Sequence, residues 1–282
     1  MSERRALLIR LAPALLLIGL AAAWLLPDPG SLQLASADRS AADDWSAALD
    51  ALPDDPTVLV GFDPDIGTYA EVRPTVRTAL ADLLNRNARL VLVSLTPEGR
   101  ALLVTELARL RRAEANAARL LDLGYLPGAE AALVSIASAP PVPVAAEGEI
   151  ARRLAREGIG AVDAAVVVGG NDLGPRSWVE QVAPRVDGLP ILAIAPTVLL
   201  PELAPYLASG QLAALLGTPR DGAAYRSLAD LGPLDRLREV GEPPVTALTL
   251  GLLIAVVIVG QAWGSRLVAQ LRVADRDGRE IG

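Results

Sequence analysis

The sequence contains no cysteine, no histidine and no lysine, so all 26 of its basic residues are arginines. Without cysteine or histidine the chain has no disulfide, no usual zinc ligand set and no catalytic pair that depends on either residue. Without lysine it has no Schiff base and no P-loop lysine. Any chemistry must therefore use carboxylates, hydroxyls, arginines, backbone amides or an oxygen-ligated cation such as Mg²⁺ or Ca²⁺.

Apolar residues, in contrast, make up 52% of the 282 residues. Two long apolar runs, 6–26 and 245–263, each approach the roughly 20 residues that a helix needs to cross a bilayer. We predict that both are transmembrane helices and that the lipid bilayer is a partner of the chain. A cleavable signal peptide is the alternative for the first run, because Leu34–Ala37 reads "LASA".

Arginines lie between each apolar run and the nearer end of the sequence. Because positive charge favours the cytoplasmic side, this distribution predicts that both termini are cytoplasmic. Residues 1–26 would then be an N-terminal membrane anchor, and 264–282 a cytoplasmic tail. These arginines are Arg4, Arg5, Arg266, Arg272, Arg276 and Arg279, with Arg10 inside the first run. Residues 27–244 would then lie outside the cell (inner) membrane. They carry 19 arginines against 29 acidic residues, a net charge of −10 that does not suit nucleic acid.

Three small residues recur at four-residue spacing in the second run, and a Gly-x-x-x-Gly pair follows them. Such a stripe lets membrane helices approach closely, which favours self-association or protein partners through the transmembrane helices. The residues concerned are Ala247, Gly251, Ala255, Gly260 and Gly264.

Between the two anchors, short apolar runs alternate with helical stretches. The predicted strands are 57–62, 89–95, 131–137, 164–168, 190–195 and 212–217, and the predicted helices are 67–86, 98–121, 147–158, 175–186, 199–209 and 221–231. This alternation predicts an α/β domain over 56–240, built on a three-layer, mostly parallel, Rossmann-like or flavodoxin-like sheet of about six strands. Residues 27–55 are interpreted as a linker with a short helix around Trp45.

Polar side chains follow several predicted strands, and the carboxyl ends of parallel strands meet at one edge of a sheet. They are Asp63, Asp65, Thr96, Asn171 and Asp172. The set resembles that of the haloacid-dehalogenase-like phosphatases. The resemblance implies Asp63 as nucleophile, Asp65 as acid/base, Thr96 at the phosphate and a metal site at Asp63, Asp65 and Asp172. Gly67 stands where that family has Thr or Val, and the family's usual lysine is absent.

The same residues have a structural interpretation, because Asp and Asn at strand ends commonly cap the next helix or form turns. The turn 169–174, "GGNDLG", lacks the dinucleotide spacing Gly-x-Gly-x-x-Gly, and no cofactor is expected. The leading hypothesis is a non-enzymatic interaction or assembly module in the cell envelope. A metal-dependent phosphoester hydrolase and a small-ligand receptor or sensor remain the alternatives.

The stretch 205–225, "PYLASGQLAALLGTPRDGAAY", is similar to segments of uncharacterised membrane-anchored bacterial envelope proteins. This resemblance implies an extracytoplasmic Rossmann-like domain and no particular activity.

Overall fold

The structure, a computed structural model, describes residues 39–113, 119–143, 146 and 148–229. The predicted membrane segments 6–26 and 245–263, with their small-residue stripe, and the tail 264–282 lie outside these residues. Within the described ranges, no helix is both long enough and apolar enough to cross a bilayer.

The described residues form one six-stranded parallel sheet, as expected of a Rossmann-like α/β fold. Its strands are β1 (Thr57–Asp63), β2 (Arg89–Ser94), β3 (Leu120–Tyr125), β4 (Ala164–Gly169), β5 (Ile191–Ile194) and β6 (Ala214–Leu216). Their spatial order is β3-β2-β1-β4-β5-β6, and every neighbouring pair is parallel. The chain therefore winds outward from the centre of the sheet in both directions.

Helices cover both faces of this sheet and give the predicted three layers. One face carries α1 (Ser40–Asp50), α2 (Ile66–Asn85), α3 (Pro97–Ala113) and α8 (Pro219–Leu228). The other carries α4 (Glu130–Ser138), α5 (Glu149–Glu157), α6 (Pro175–Gln181) and α7 (Leu200–Ala208). Because helices cover both faces, the β1 strand is buried along its whole length.

The helix expected around Trp45 is α1, which lies within the predicted linker 27–55. Trp45 is fully buried and packs edge-on against the ring of Tyr225 in α8, with 5.9 Å between ring centroids. Residues 40–50 therefore belong to the folded core of the described chain.

The third strand was predicted in the wrong place. Residues 131–137 form most of helix α4, and the strand is Leu120–Tyr125, at the end of the predicted helix 98–121. In α4 the buried residues Ala132, Leu133, Ile136 and Ala137 recur at helical spacing. A short apolar run does not distinguish a strand from a buried helix by periodicity alone, which explains the error.

The order of the strands reverses the direction of winding at the centre of the sheet. From β1 the chain passes to α2 on one face, and from β4 it passes to α6 on the other. Because these two central connections leave on opposite faces, the carboxyl ends of β1 and β4 form a topological switch point, where open α/β sheets bind their ligands. The predicted site residues lie on the connections that surround this point.

Candidate functional site

Asp63 ends β1 at the switch point, and its side chain is fully buried. Its Oδ1 accepts hydrogen bonds from the backbone amides of Leu95 and Thr96, both at 2.8 Å. The hydroxyls of Ser94 and Thr96 lie at 2.8 and 2.9 Å from the same oxygen. One carboxylate oxygen thus ties the end of β1 to the turn that follows β2.

The second carboxylate oxygen of Asp63 is buried and has no hydrogen-bond partner among the described residues. Burial disfavours the charged form and raises the pKa of Asp63, although the hydrogen bonds from Ser94, Leu95 and Thr96 act in the opposite direction. The group is therefore shielded from solvent and is held toward its neutral form.

Asp65, two residues further on, caps helix α2. Its Oδ1 accepts from the amides of Gly67 at 2.7 Å and Thr68 at 3.1 Å, and its Oδ2 accepts from the Thr68 hydroxyl at 2.5 Å. The Thr68 hydroxyl is the main reason that the pKa of Asp65 lies below its ordinary value. Both carboxylate oxygens thus bond to the first turn of α2, which is the role expected of an Asp cap.

Thr96 has the corresponding role at α3. Its hydroxyl accepts from the amide of Gly99 at 3.0 Å while it donates to Asp63. A Cβ on Gly99 would lie only 2.5 Å from the backbone oxygen of Phe62 and 2.8 Å from Oδ1 of Asp63. Glycine at this position therefore lets the first turn of α3 approach the end of β1 closely, and this approach closes the space above Asp63.

The turn after β4 is connected to β1 through its backbone. The carbonyl oxygen of Asp63 accepts from the amide of Gly170 at 3.2 Å and from the side-chain amide of Asn171 at 3.0 Å. Asn171 also accepts from the amide of Leu173 at 2.9 Å, which forms the predicted side-chain turn. The backbone oxygen of Asp172 accepts a hydrogen bond from the Ser177 hydroxyl. Asp172 itself is exposed.

The five predicted site residues therefore have different environments. Asp63 and Thr96 are hydrogen-bonded to each other, Asn171 reaches the Asp63 backbone, Asp65 caps α2, and Asp172 is exposed. No group of three or more acidic side chains in the described parts of the chain is arranged to hold a metal ion. The hydrogen bonds at this edge hold strands, turns and helix starts together.

Two further hydroxyl residues support this edge, and one of them, Thr68, was not predicted from the sequence. Ser94 is buried at the end of β2, and Thr68 lies three residues after Asp65 in the first turn of α2. A hydroxyl three residues after an Asp cap is the sequence signal that could have identified Thr68.

No protein family, no functionally described protein and no solved structure matches this chain significantly. The assignment to a Rossmann-like fold therefore rests on the strand order, the parallel register and the central switch point of the chain itself.

Proposed function

We propose that the chain is a two-pass envelope membrane protein whose central Rossmann-like domain acts as a non-enzymatic interaction module outside the membrane. The membrane placement rests on the apolar runs 6–26 and 245–263 and on the arginines that flank them. The role of the domain rests on one observation. Asp63, the residue best placed to be a nucleophile, is fully buried and bonds to Ser94, Leu95 and Thr96.

The geometry around Asp63 weighs against the hydrolase. A carboxylate nucleophile must reach a phosphorus atom, whereas Oδ1 of Asp63 is surrounded by protein donors and Oδ2 is shielded from solvent. Asp65 is occupied in capping α2. The receptor alternative meets the same difficulty, since Asn171 and Thr96 are also engaged with the polypeptide.

Membrane topology can be tested because the chain has no cysteine. Ser138 is exposed at the end of α4, so a Ser138→Cys variant should react with a membrane-impermeant thiol reagent added outside intact cells. Ser2→Cys and Asp277→Cys should react only after the membrane is opened. Reversed labelling would remove the basis for an extracytoplasmic module.

The absence of catalysis is tested separately with the purified full-length chain. A generic aryl phosphate with Mg²⁺ should be hydrolysed no faster by the natural chain than by Asp63→Asn and Asp65→Asn. Turnover that requires both aspartates would contradict the proposed interaction module and support the hydrolase.

A further inference from the structure

A recess lies at the amino edge of the sheet, the edge formed by the first residues of the strands. It is bounded by Thr57 at the start of β1, by Arg89 at the start of β2 and by the first two turns of α5. Its open space, mouth included, is about 270 Å³. The recess therefore lies at the opposite end of the strands from Asp63 and the switch point.

The strand register places Thr57 and Arg89 side by side on one face of the sheet. The two residues are partners in the β1–β2 ladder. Two residues further along these strands, Leu59 and Val91 pack in the core on the face that α5 covers. Side chains alternate between the two faces of a strand, so Thr57 and Arg89 project toward this same face. They form the floor of the recess.

Helix α5 forms the opposite wall. Ile150 and Leu154 are buried and hold the helix against the sheet. Glu149 and Arg153, each one position earlier, are one helical turn apart, and both line the recess. One guanidinium group from the sheet and another from the helix layer therefore border the same small space.

Both arginines keep donors that the protein does not use. Nη1 of Arg89 donates to the backbone oxygen of Asp55 at 2.8 Å, and Nε of Arg153 donates to Glu157 at 3.0 Å. Within the described ranges, the other guanidinium nitrogens of these two residues have no hydrogen-bond acceptor. Such a pair of guanidinium groups matches the oxygens of a carboxylate or a phosphate.

Thr57 adds a buried hydroxyl to the lining. The residue is 2% exposed, and its amide donates to Oδ2 of Asp163 at 2.7 Å. Its hydroxyl, in contrast, has no hydrogen-bond partner among the residues that the structure describes. Buried polar groups in folded proteins are nearly always hydrogen-bonded, so a ligand oxygen that accepts from this hydroxyl is favoured here.

We propose that this recess binds one small oxyanion, of the size of inorganic phosphate or sulfate, through Arg89, Arg153 and Thr57. Together these side chains supply charge-assisted donors from two directions and one neutral donor. The volume lies below the roughly 300–1,000 Å³ of sites for drug-sized ligands, which favours a small ion over a nucleotide. The proposal gives the domain a ligand and does not depend on its placement at the membrane.

Glu149 introduces an opposing charge. It is exposed in the same wall as Arg153, where its carboxylate repels a bound anion. The net charge of −10 over residues 27–244 adds to this repulsion. Binding is therefore weak, and neutralising Glu149 strengthens it. A residue that served only the stability of α5 would not change anion affinity in this direction.

Equilibrium dialysis of radiolabelled inorganic phosphate against the purified full-length chain, at neutral pH and constant ionic strength, tests the site. The natural chain should bind phosphate saturably at one site. Arg89→Gln should raise the dissociation constant about tenfold or more, because a hydrogen bond to a charged group is lost. Thr57→Val should raise it about threefold, since it removes the hydroxyl and keeps a branched side chain that suits a strand. Glu149→Gln should lower it about threefold.

Arg220→Gln is the matched control, because Arg220 is exposed in the first turn of α8, on the other face of the sheet. This variant should bind phosphate like the natural chain. Sulfate should displace the bound phosphate, and adenosine monophosphate should do so at least about tenfold less well. Urea unfolding confirms that each variant is folded.

The absence of saturable binding by the natural chain overturns the proposal. Binding that Arg89→Gln and Thr57→Val leave unchanged overturns it as well, because the anion then lies elsewhere. Neither result bears on the membrane topology, which the labelling of Ser138→Cys decides separately.

Discussion

The carboxyl edge of the sheet and the outer side of α7 contrast in how their polar and apolar groups are used. At the edge, one oxygen of Asp63 is surrounded by donors from Ser94, Leu95 and Thr96, and Asp65 caps α2. Just before and along α7, in contrast, Val198, Pro201 and Pro205 are exposed. The edge has reactive residue types but uses them for structure, whereas the outer side of α7 exposes several apolar residues.

This contrast shows why residue type alone is a poor guide to a site. A buried carboxylate with all its donors inside the protein contributes to folding, because the alternative is several unsatisfied polar groups. An exposed apolar helix face contributes nothing to folding until something covers it. Substitutions at the edge should therefore change stability strongly, and substitutions on the outer side of α7 should change it little.

The largest effect is expected for Asp63→Ala. It removes the acceptor of two backbone amides and two hydroxyls, and each buried group left without a partner costs about 1–3 kcal/mol, so the free energy of unfolding should fall by about 4 kcal/mol. Urea unfolding followed by tryptophan fluorescence measures this loss. Asp172→Ala is the control, since this exposed residue should change stability by less than about 0.5 kcal/mol. Equal small losses at both positions would contradict a structural role for Asp63.

A smaller but clear difference is expected within α7 itself. Leu203 is 1% exposed and Leu207 is 38% exposed. Leu203→Ala should lower the free energy of unfolding by about 3 kcal/mol through the cavity it leaves. Leu207→Ala should cost about 1 kcal/mol or less, because much of its side chain is already in water. A large loss in Leu207→Ala, measured by the same urea unfolding, would mean that the outer side of α7 is part of the core.

The pH dependence of stability should differ in sign between the two aspartates. The raised pKa of Asp63 stabilises the fold below the ordinary value of 3.8, and this contribution is lost as the pH rises through the folded-state pKa. The lowered pKa of Asp65 stabilises the fold above 3.8, and this contribution is lost as the pH falls through its folded-state pKa.

Neutral substitutions at the two positions separate these contributions. Relative to the natural chain, Asp63→Asn should become progressively more stable as the pH rises from acid to neutral. Asp65→Asn should become progressively less stable over the same range. Urea unfolding across this range of pH measures both trends, and parallel curves for the two variants would show that the carboxylates share one environment.

The smallest expected effect is that of a divalent cation. Because Asp63 and Asp65 are engaged with protein donors, Mg²⁺ or Ca²⁺ should leave the melting temperature of the full-length chain unchanged. A bound cation at a hundredfold excess over its dissociation constant would add about 2.7 kcal/mol, which a thermal melt detects easily. A rise in melting temperature that disappears in Asp63→Asn would indicate a cation site at the carboxyl edge of the sheet and favour the hydrolase.

Much of the fold follows from local sequence patterns. The apolar run 164–168 is β4 to within one residue, and the predicted helix 67–86 is α2 (Ile66–Asn85). Pro175 and Pro219 mark the starts of α6 and α8, because proline at the first helical position sacrifices no hydrogen bond. The third strand was missed because "LLDLGY" continues an Ala-, Leu- and Arg-rich stretch with no glycine or proline to separate strand from helix.

The sequence by itself determined the excluded chemistries, the alternation of strands and helices, and the presence of Asp, Asn and Thr after the strands, since these depend on residue type and short-range spacing. Only the tertiary structure decided that Asp63 turns inward to Ser94 and Thr96, that α1 joins the core through Trp45, and that α7 buries only one side. These outcomes depend on which elements pack together. Burial and hydrogen-bond partners come from residues distant in the sequence, such as the Asp63–Thr96 and Trp45–Tyr225 pairs.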